Sequence, residues 1–500
     1  MTGLGPPTTK LDTATFANSL VQLARRDPGL PVPNPTVSSW QAEPHRLANH
    51  QSPNLPSKVS IAIIGSGMTG ISTAYHLLQD SPDLSVTVLE ARSLTSGATG
   101  RNGGHCKEVP YVDYAELKTL FGKEGAGKIA RFRLAQLDAL FDTAAKLDRE
   151  VMEESMLRRV EGVDLYFDRN IFQEMETKRG SWLEDFPEER DRWLVWEGED
   201  LEERFGAVNA VGCMTGSAGA LSPYRFVCGV TSTLLDHDKY PNFTLETNTA
   251  VESITVSGSS DRPYELSTAR GRIVAKHVIH CTNGYAGHLL PGLRDKLFPL
   301  RGQMTLQSPP PSFPRVGDKK SWILHYAPGF DYITQSPLPS GEIYLGGGLL
   351  QALLTTHIEE DDIDIGNVRD DQQSEEPLKF IERAIEERFK DGKGATVINK
   401  WTGIMGFTVD AVPLVGKVPK SISGRDPGTE QSGSEWVAAG FCGHGMAYCW
   451  LTGKAMANMV LEGEENVGDW FPREQLACSE ERLGRANLED AVASFMQTVA

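Results

Sequence analysis

Residues 58–90 read KVSIAIIGSGMTGISTAYHLLQDSPDLSVTVLE, and this stretch decides the fold of the chain. Its first part, 59–64, is a short run rich in β-branched residues, which predicts a buried strand. A G-x-G-x-x-G motif follows directly, 68–78 has helical spacing, and 86–89 predicts a second strand that ends on Glu90. This order predicts a βαβ unit that binds a dinucleotide, either FAD or NAD.

Each part of the motif has a physical role in binding a pyrophosphate. Gly65 makes the tight turn, Gly67 lets the backbone approach the phosphates, and Gly70 lets the helix pack close to the strand. The free N–H groups and partial positive charge of the helix N-terminus attract the phosphates. Glu90 follows Gly70 by twenty residues and can accept hydrogen bonds from ribose hydroxyls.

The composition limits the size, partners and location of the protein. A chain of 500 residues predicts two or three domains, and its formal net charge of −18 argues against a nucleic-acid or anionic-membrane partner. The seven cysteines are scattered without a C-x-x-C pair, so neither disulfides nor a metal site are expected. No apolar stretch is long enough to span a bilayer, and no secretory signal is recognisable. We therefore expect a cytoplasmic protein.

The remaining chain contains two further glycine-rich segments. The loop SLTSGATGRNGGHCKEVP, 93–110, is attached to the nucleotide-binding strand, and its glycines would let backbone lie flat against a planar ring. Residues 440–446 begin a second glycine-rich turn from a strand into a helix, expected over 447–461. The stretch before the nucleotide motif contains a short helix, 14–25, and then Pro- and Asn-rich coil in which Trp40 indicates that part is pinned to the domain.

Periodicity predicts the main elements of a second domain. Residues 125–151 carry apolar side chains on one face, which predicts one long helix. Residues 322–348 predict three antiparallel strands, and 377–389 predicts an amphipathic helix. Ser222 as N-cap and Pro223 at the first helical position predict another helix start.

Five motifs in this order resemble the D-amino-acid-oxidase-type flavoprotein superfamily, which includes glycine, sarcosine and γ-glutamylputrescine oxidases. They are IAIIGSGMTG with Glu90, SGATGRNGGH, the run at 300–304, WTGIMGFTVDAVPLVG and AAGFCGHGM. TGRNGGH is most similar to the putrescine-type amine oxidase branch and its fungal relatives. The resemblance implies FAD instead of NAD and covers about 58–465.

The resemblance also implies an α/β fold, in which a Rossmann-like FAD-binding domain of the glutathione-reductase type joins an α+β substrate domain on a mixed, largely antiparallel sheet. The expected order is an N-terminal extension, three FAD-binding segments that alternate with two substrate-domain segments, and a C-terminal tail. Their ranges are 1–57 for the extension, 58–113, 216–300 and 396–468 for the FAD-binding domain, 114–215 and 301–395 for the substrate domain, and 469–500 for the tail.

The resemblance further assigns cofactor contacts position by position. The pyrophosphate and ribose would be held in the first βαβ unit, the flavin ring by the 93–110 loop, adenine by the backbone of Val251, and the flavin pyrimidine and ribityl chain by the second glycine-rich turn. The implied set is Gly65, Ser66, Gly67, Met68, Thr69, Gly70, Glu90, Ala91, Arg92, Thr99, Arg101, Asn102, Gly103, Gly104, Val251, Thr282, Asn283, Gly443, His444, Gly445 and Met446.

Three departures from the family pattern bear on cofactor attachment and substrate. Gly403 or a close neighbour stands where sarcosine-oxidase relatives attach flavin through a cysteine, so noncovalent FAD is expected. Met405 stands where glycine and D-amino-acid oxidases have a carboxylate-binding arginine, and Ala447 where sarcosine oxidase has a lysine. These departures favour an amine that lacks an α-carboxylate.

The expected activity is therefore oxidation of an amine to an imine, with oxygen as acceptor and hydrogen peroxide as product. His105, Lys107 and His444 are candidate catalytic groups, and Tyr332, Tyr344 and Met405 are candidates for the substrate wall. Two alternatives stay open: a dehydrogenase or tailoring oxidase of a larger secondary amine or amino-acid derivative, and a flavin-binding protein without turnover.

Overall fold

The computed structural model describes residues 13–198, 200–257, 259, 261–355, 363–428 and 433–498. Within these ranges the strands form two separate sheets, which we name sheet A and sheet B. The strands are β1 Lys58–Ile64, β2 Val86–Leu89, β3 His105–Cys106, β4 Arg158–Tyr166, β5 Leu194–Trp196, β6 Gly212–Ala220, β7 Phe243–Glu246, β8 Val251–Val256, β9 Tyr264–Thr268, β10 Gly271–His280, β11 Leu297–Ser308, β12 Lys320–His325, β13 Phe330–Gln335, β14 Ile343–Gly347, β15 Thr396–Thr408, β16 Leu414–Lys417 and β17 Ser434–Ala439.

Helices cover the outer faces of the sheets and the surface between them. The α-helices are α1 Thr13–Arg25, α2 Met68–Asp80, α3 Tyr114–Leu134, α4 Gln136–Ala144, α5 Arg149–Ser155, α6 Arg169–Asp185, α7 Leu201–Phe205, α8 Pro223–Leu234, α9 Ala286–Leu289, α10 Leu349–Thr355, α11 Glu375–Arg388, α12 Lys420–Ser423, α13 Cys449–Glu462, α14 Arg473–Leu476, α15 Glu480–Arg485 and α16 Leu488–Thr498. No helix in the described ranges is long and apolar enough to cross a membrane.

Sheet A has the strand order β16-β17-β10-β1-β2-β7, with a β8–β9 hairpin attached to β10. The strands β17, β10, β1, β2 and β7 run parallel, and β16 is an antiparallel edge strand. In β1, Ile61 to Ile64 are paired on both sides, which explains why this strand is a nearly continuous apolar run. The predicted strand–helix–strand unit is thereby confirmed.

Sheet B has the order β15-β11-β14-β13-β12-β4-β6-β3, with β5 paired to β6. Its neighbouring strands are antiparallel except for the parallel pair β12 and β4, so the expected mixed, largely antiparallel sheet is observed. On one face, Leu378 and Ile381 of α11 pack against Trp322 and Ile333 in an apolar cluster. The other face turns toward sheet A.

Sheet membership differs in places from the ranges expected for the two domains. Strand β15 lies in sheet B although its range falls in the third FAD-binding segment, and β3 lies in sheet B although its range falls in the first. The expected single helix over 125–151 is wrong, because this region contains α3, α4 and α5. The last break occurs where Asp148, the N-cap residue of α5, takes an extended backbone conformation. The helix start at Ser222 is confirmed, since its side chain accepts a hydrogen bond from the Arg225 N–H.

Candidate functional site

The turn between β1 and α2 is tight enough to require glycine. Gly65 has φ of 108°, and a Cβ at this position would lie 2.5 Å from the carbonyl oxygen of Cys281. A Cβ on Gly70 would lie 2.0 Å from the carbonyl oxygen of Gly65. The chain can therefore pass from strand to helix here only without side chains at these two positions.

This turn presents backbone donors to a ligand. Among the described residues, none accepts a hydrogen bond from the N–H groups of Gly67, Thr69 and Gly70 at the start of α2. The N–H of Met68 donates to the hydroxyl of Thr99 at 3.0 Å. Three free donors at the positive end of a 13-residue helix fit the pyrophosphate of a dinucleotide.

Glu90 directly follows β2, beside this turn, and is only partly buried. Its Oε2 accepts hydrogen bonds from the N–H and the hydroxyl of Ser66, at 3.0 and 2.7 Å. Its Oε1 accepts one from the N–H of Arg92 at 3.0 Å. A carboxylate offers about four acceptor positions, so Oε1 retains one for a ribose hydroxyl.

The side chains of Arg92 and Arg101 form a buried ion cluster. Arg92 makes a bidentate pair with Asp370, with both distances 3.0 Å, and Arg101 lies 3.6 Å from the same carboxylate. Arg101 also donates to the carbonyl oxygens of Ser96 and Thr402. Since both guanidinium groups have these partners, the side chain of Arg101 is directed into the protein.

Several buried polar atoms in the described part of the chain have no partner, and two of them are hydroxyls that follow β10. They are the hydroxyl of Thr282, two residues after β10, and the hydroxyl of Tyr285, both of them buried. Burial raises the pKa of Tyr285, and the carboxylate of Asp370 raises it further. A buried hydroxyl without a partner is costly, so both atoms fit a site that a polar ligand completes.

The second glycine-rich turn lies next to the end of β10. Asn283 accepts a hydrogen bond from the Gly440 N–H at 3.0 Å, which joins the two segments. In the described ranges no residue accepts from the N–H groups of Gly443, Gly445 and Met446, which precede α13. Successive free N–H groups of this kind make an anion-binding concavity. This turn fits the pyrimidine end of a flavin, which becomes negative on reduction.

His444 in this turn is exposed to water although protein groups surround its ring. Burial lowers its pKa, and the nearby charge of Arg133 lowers it further. His444 is therefore neutral at pH 7.

The face of sheet B that turns toward these elements forms the opposite wall. Met405 is partly exposed, and its Cε lies 3.0 Å from the position a Cβ would take on Gly302. The hydroxyl of Tyr332 donates to the sulfur of Met304 at 2.9 Å, and burial raises the pKa of Tyr332 to about 12. A Cβ on Gly103 would lie 2.8 Å from the Tyr332 ring, so the glycine loop meets this wall directly.

The candidate catalytic residues His105 and Lys107 lie further along the same face of sheet B. The Nε2 of His105 is 2.9 Å from the hydroxyl of Ser321. Burial and the charge of Lys107 lower the pKa of His105 to about 3. The ammonium of Lys107 donates to Asp164 at 2.6 Å, and His325 lies 3.3 Å from the other carboxylate oxygen. Lys107 is thus a paired cation and His105 a neutral ring.

The other predicted residues have the following places. Tyr344 is 7% exposed and stacked on Trp40, with ring centroids 3.8 Å apart, so one face of its ring is not open to a substrate. Asn102 accepts from the Gly104 N–H through its side chain, and Gly104 is buried against Leu221. Val251 packs in the apolar cluster that contains Leu89, and Ala91 is partly exposed beside Glu90.

The sequence did not reveal that residues 36–41 border the site. Ser38 donates to the carbonyl oxygen of Gly100 at 2.5 Å, and the indole of Trp40 donates to that of Asn102 at 2.6 Å. Thr36 bonds through its N–H to the carbonyl oxygen of Asp370 at 2.7 Å. The sequence signal that could have indicated this contact is Trp40, an aromatic residue in a proline-rich coil. Asp370 lies in a loop whose sequence carries no motif that would indicate a site.

These features define a dinucleotide-binding flavoprotein of two-sheet architecture. They are the two backbone concavities, the acid after the second strand and the glycine loop against the opposite sheet. The chain belongs to the DAO family of FAD-dependent oxidoreductases, whose profile matches residues 60–459. FAD is therefore its cofactor, and the protein is an oxidoreductase of the amine and amino-acid oxidase kind.

Individual relatives agree with this assignment. Gamma-glutamylputrescine oxidoreductase of Escherichia coli (strain K12) is 24% identical over 456 residues, which are 87% of this chain and 91% of that protein. The structure of glycine oxidase from Geobacillus kaustophilus has a TM-score of 0.58 at 17% identity and covers 85% of this chain and 99% of its own. L-proline dehydrogenase from P. horikoshii has a TM-score of 0.60 at 18% identity, covering 84% and 98%.

Proposed function

We propose that this protein oxidises the C–N bond of an amine that lacks an α-carboxylate, with oxygen as the electron acceptor. Amine and oxygen would give imine and hydrogen peroxide, and water would then hydrolyse the imine. The observation that carries the substrate class is that the buried ammonium of Lys107 is already paired with the carboxylate of Asp164. The seven unpaired cysteines support the expected cytoplasmic location.

A substrate carboxylate buried beside the flavin would need an available cation. Lys107, a cation of the glycine loop, has a side chain 2% exposed and is bound to Asp164, itself 3% exposed. Binding a substrate carboxylate would place a second negative charge beside one ammonium. Because an uncompensated buried charge is strongly disfavoured, this pair opposes a carboxylated substrate.

The other buried cations around the site also have carboxylate partners. Arg92 and Arg101 share Asp370, and Arg133 is bound to Glu108 at 2.9 Å and to Asp113 at 2.7 Å. At the family's arginine position, Met405 presents an apolar thioether to the cleft. An alkyl or aryl amine matches this wall better than a free amino acid does.

The side chains at the site can position an amine without acting as strong bases. Bound FAD supplies the two-electron acceptor for this chemistry. His105 is neutral at pH 7 and its Nε2 is near Ser321, so it can share hydrogen bonds without placing positive charge near the amine. Tyr332, whose ring centroid lies 6.5 Å from that of His105, would keep water away from the reacting carbon. The amine must then bind in its unprotonated form.

The decisive experiment compares substrates under two conditions. Anaerobic mixing with amines and with amino acids of matching side chain measures bleaching of the flavin absorbance, and aerobic assays measure oxygen uptake and peroxide. We expect the amine of each pair to reduce the flavin faster. Preference for the carboxylated partner would contradict the proposed substrate class. Rapid anaerobic reduction without oxygen uptake would instead identify a dehydrogenase, and absence of reduction by every compound would indicate a protein without turnover.

Met405 gives a direct test of the wall. Met405→Arg restores a cation at the position where oxidase relatives have one, so we expect kcat/KM for carboxylated amines to rise relative to their decarboxylated partners. Met405→Leu is the matched control, because it keeps an apolar side chain of similar volume and should leave the ratio unchanged. If Lys107→Ala in the wild-type background abolishes an existing preference for carboxylates, the carboxylate anchor is Lys107 and the amine proposal is wrong.

A further inference from the structure

Side chains outside the glycine loop hold the carbonyl oxygens of residues 95–102. Gln41 donates to the carbonyl oxygens of Thr95 and Gly100 at 3.4 and 3.0 Å, and Ser38 also donates to that of Gly100. The indole of Trp40 donates to the carbonyl oxygen of Asn102 at 2.6 Å. These donors precede residue 60, where the match to the family begins.

The bond from Trp40 determines the direction of the next N–H group. Apart from Ala327–Pro328, the described chain has trans peptide bonds, and in a trans peptide the C=O and N–H point to opposite sides. Because the Asn102 carbonyl points at the Trp40 indole, the Gly103 N–H points away from it. In the described part of the chain nothing accepts a hydrogen bond from this N–H, although Gly103 is buried.

The free Gly103 N–H therefore fits a ligand acceptor. An unpaired buried N–H costs about 1–3 kcal/mol, so native structures rarely retain one. The Gly103 carbonyl is held separately by the hydroxyl of Thr334 at 2.5 Å, and Gly103 lies against Tyr332 at the wall of the cleft. Both ends of the glycine are thus fixed while its donor stays available.

We propose that Trp40 is a positioning residue for the flavin. By holding the Asn102–Gly103 peptide, it keeps the Gly103 N–H directed at the polar edge of the isoalloxazine ring. A donor bonds more strongly to an acceptor that carries more negative charge, so this contact favours the reduced ring over the oxidised one. The proposal rests on FAD binding in this cleft and not on the identity of the substrate.

Trp40 is held in place independently of its hydrogen bond. Its indole stacks on Tyr344 with an interplanar angle of 6°, and its exposed fraction is 8%. The segment before it is anchored by Thr36, which bonds to Asp370 and accepts from Arg101 at 2.7 Å. Trp40→Phe therefore removes the indole donor and keeps an aromatic ring against Tyr344.

The test measures the two-electron midpoint potential of the FAD-loaded protein by anaerobic equilibration with a redox dye. We expect Trp40→Phe to lower the equilibrium constant for reduction about tenfold, which is a fall of about 30 mV for a two-electron couple. Trp196→Phe is the control, because it removes an indole hydrogen bond to Thr215 of 3.0 Å at the cluster on the other face of sheet B. Its potential should equal that of the wild type.

Two results with Trp40→Phe would overturn the proposal. One is a Trp40→Phe potential equal to that of the wild type, and the other is an equal fall in both variants, which would indicate a general effect of lost stability. Reduction by dye requires no amine, so a failed substrate panel leaves this measurement intact. If Trp40→Phe retains too little FAD for the measurement, Asn102→Ala takes its place, because it loses the side-chain bond to the Gly104 N–H. The midpoint potential of Asn102→Ala must then be lower than that of the wild type, and an unchanged potential refutes the proposal.

Discussion

Replacement of Glu90 tests the nucleotide end of the site. In the structure its carboxylate accepts three hydrogen bonds, from the Ser66 N–H, the Ser66 hydroxyl and the Arg92 N–H, and its Oε1 has room for one more. A ribose hydroxyl would take that position. Hydrogen bonds to charged groups contribute about 1.5–3 kcal/mol, so Glu90→Ala should weaken FAD binding by about ten- to hundredfold.

The same carboxylate also supports the turn, and the two contributions can be measured separately. Glu90→Gln keeps the shape and one oxygen acceptor but loses the charge, so its effect on FAD affinity should lie between those of wild type and alanine. Affinity is measured by titrating apoprotein with FAD and following flavin fluorescence. Urea unfolding of the apoprotein measures the contribution of Glu90 to the turn without ligand.

Loss of the ribose contact and loss of the support for the turn differ in how they affect FAD affinity. For Glu90→Ala, the loss in free energy of FAD binding must exceed the loss in free energy of unfolding of the apoprotein, because only the ribose bond depends on FAD. If the dissociation constant of Glu90→Ala stays within twofold of wild type, the ribose does not bind at Glu90. If Glu90→Gln weakens FAD binding as much as Glu90→Ala does, the charge of Glu90 alone accounts for its contribution to FAD affinity.

Three further predictions concern attachment and stability. FAD should stay in the supernatant after acid precipitation. Burial raises the pKa of the Cys442 thiol to about 11, and the resemblance to sarcosine oxidases implies that Gly403 or a close neighbour replaces their linking cysteine. Flavin in the pellet would contradict this. Asp370→Asn should lower the free energy of unfolding in urea by about 3–5 kcal/mol, because it leaves two buried guanidinium groups unpaired. A loss below about 1 kcal/mol would refute the stabilising role of the cluster formed by Arg92, Arg101 and Asp370. Burial opposes ionisation of Asp164, but the charge of Lys107 outweighs burial and lowers the pKa of Asp164 to about 2. The ionised carboxylate therefore stabilises the fold by about 2 kcal/mol above pH 4, and this stabilisation is lost as the pH falls through 2. The difference in unfolding free energy between wild type and Asp164→Asn should narrow over that pH range, and a difference independent of pH would contradict the pairing.

The sequence predicted the first βαβ unit correctly because its signal is local. The β-branched run, the glycine spacing and the acid at Glu90 all lie within 58–90, and each reports a backbone requirement that the structure shows directly. The family pattern likewise located the second glycine-rich turn. Periodicity failed over 125–151, because an apolar face continues across helix breaks when successive helices pack on the same core.

The ion cluster at Asp370 could not be predicted, because it joins residues far apart in the chain. Arg92, Arg101 and Asp370 meet only after both sheets have formed, and no spacing rule connects a loop acid to arginines more than 260 residues earlier. The paired state of Lys107 was hidden for the same reason, since Asp164 lies on β4. Sequence motifs indicate which backbone binds a cofactor, whereas charge pairing depends on tertiary contacts.

The order of strands in sheet A has a consequence for biosynthesis. Strand β1 pairs with β10, which in turn pairs with β17, so the two backbone concavities lie on segments separated by more than 370 residues. Contacts of such high contact order form slowly, because a long loop must close first. Nearly the whole chain must leave the ribosome before the two concavities can come together. The cofactor therefore binds after the apoprotein has assembled, and its binding stabilises the native state by mass action.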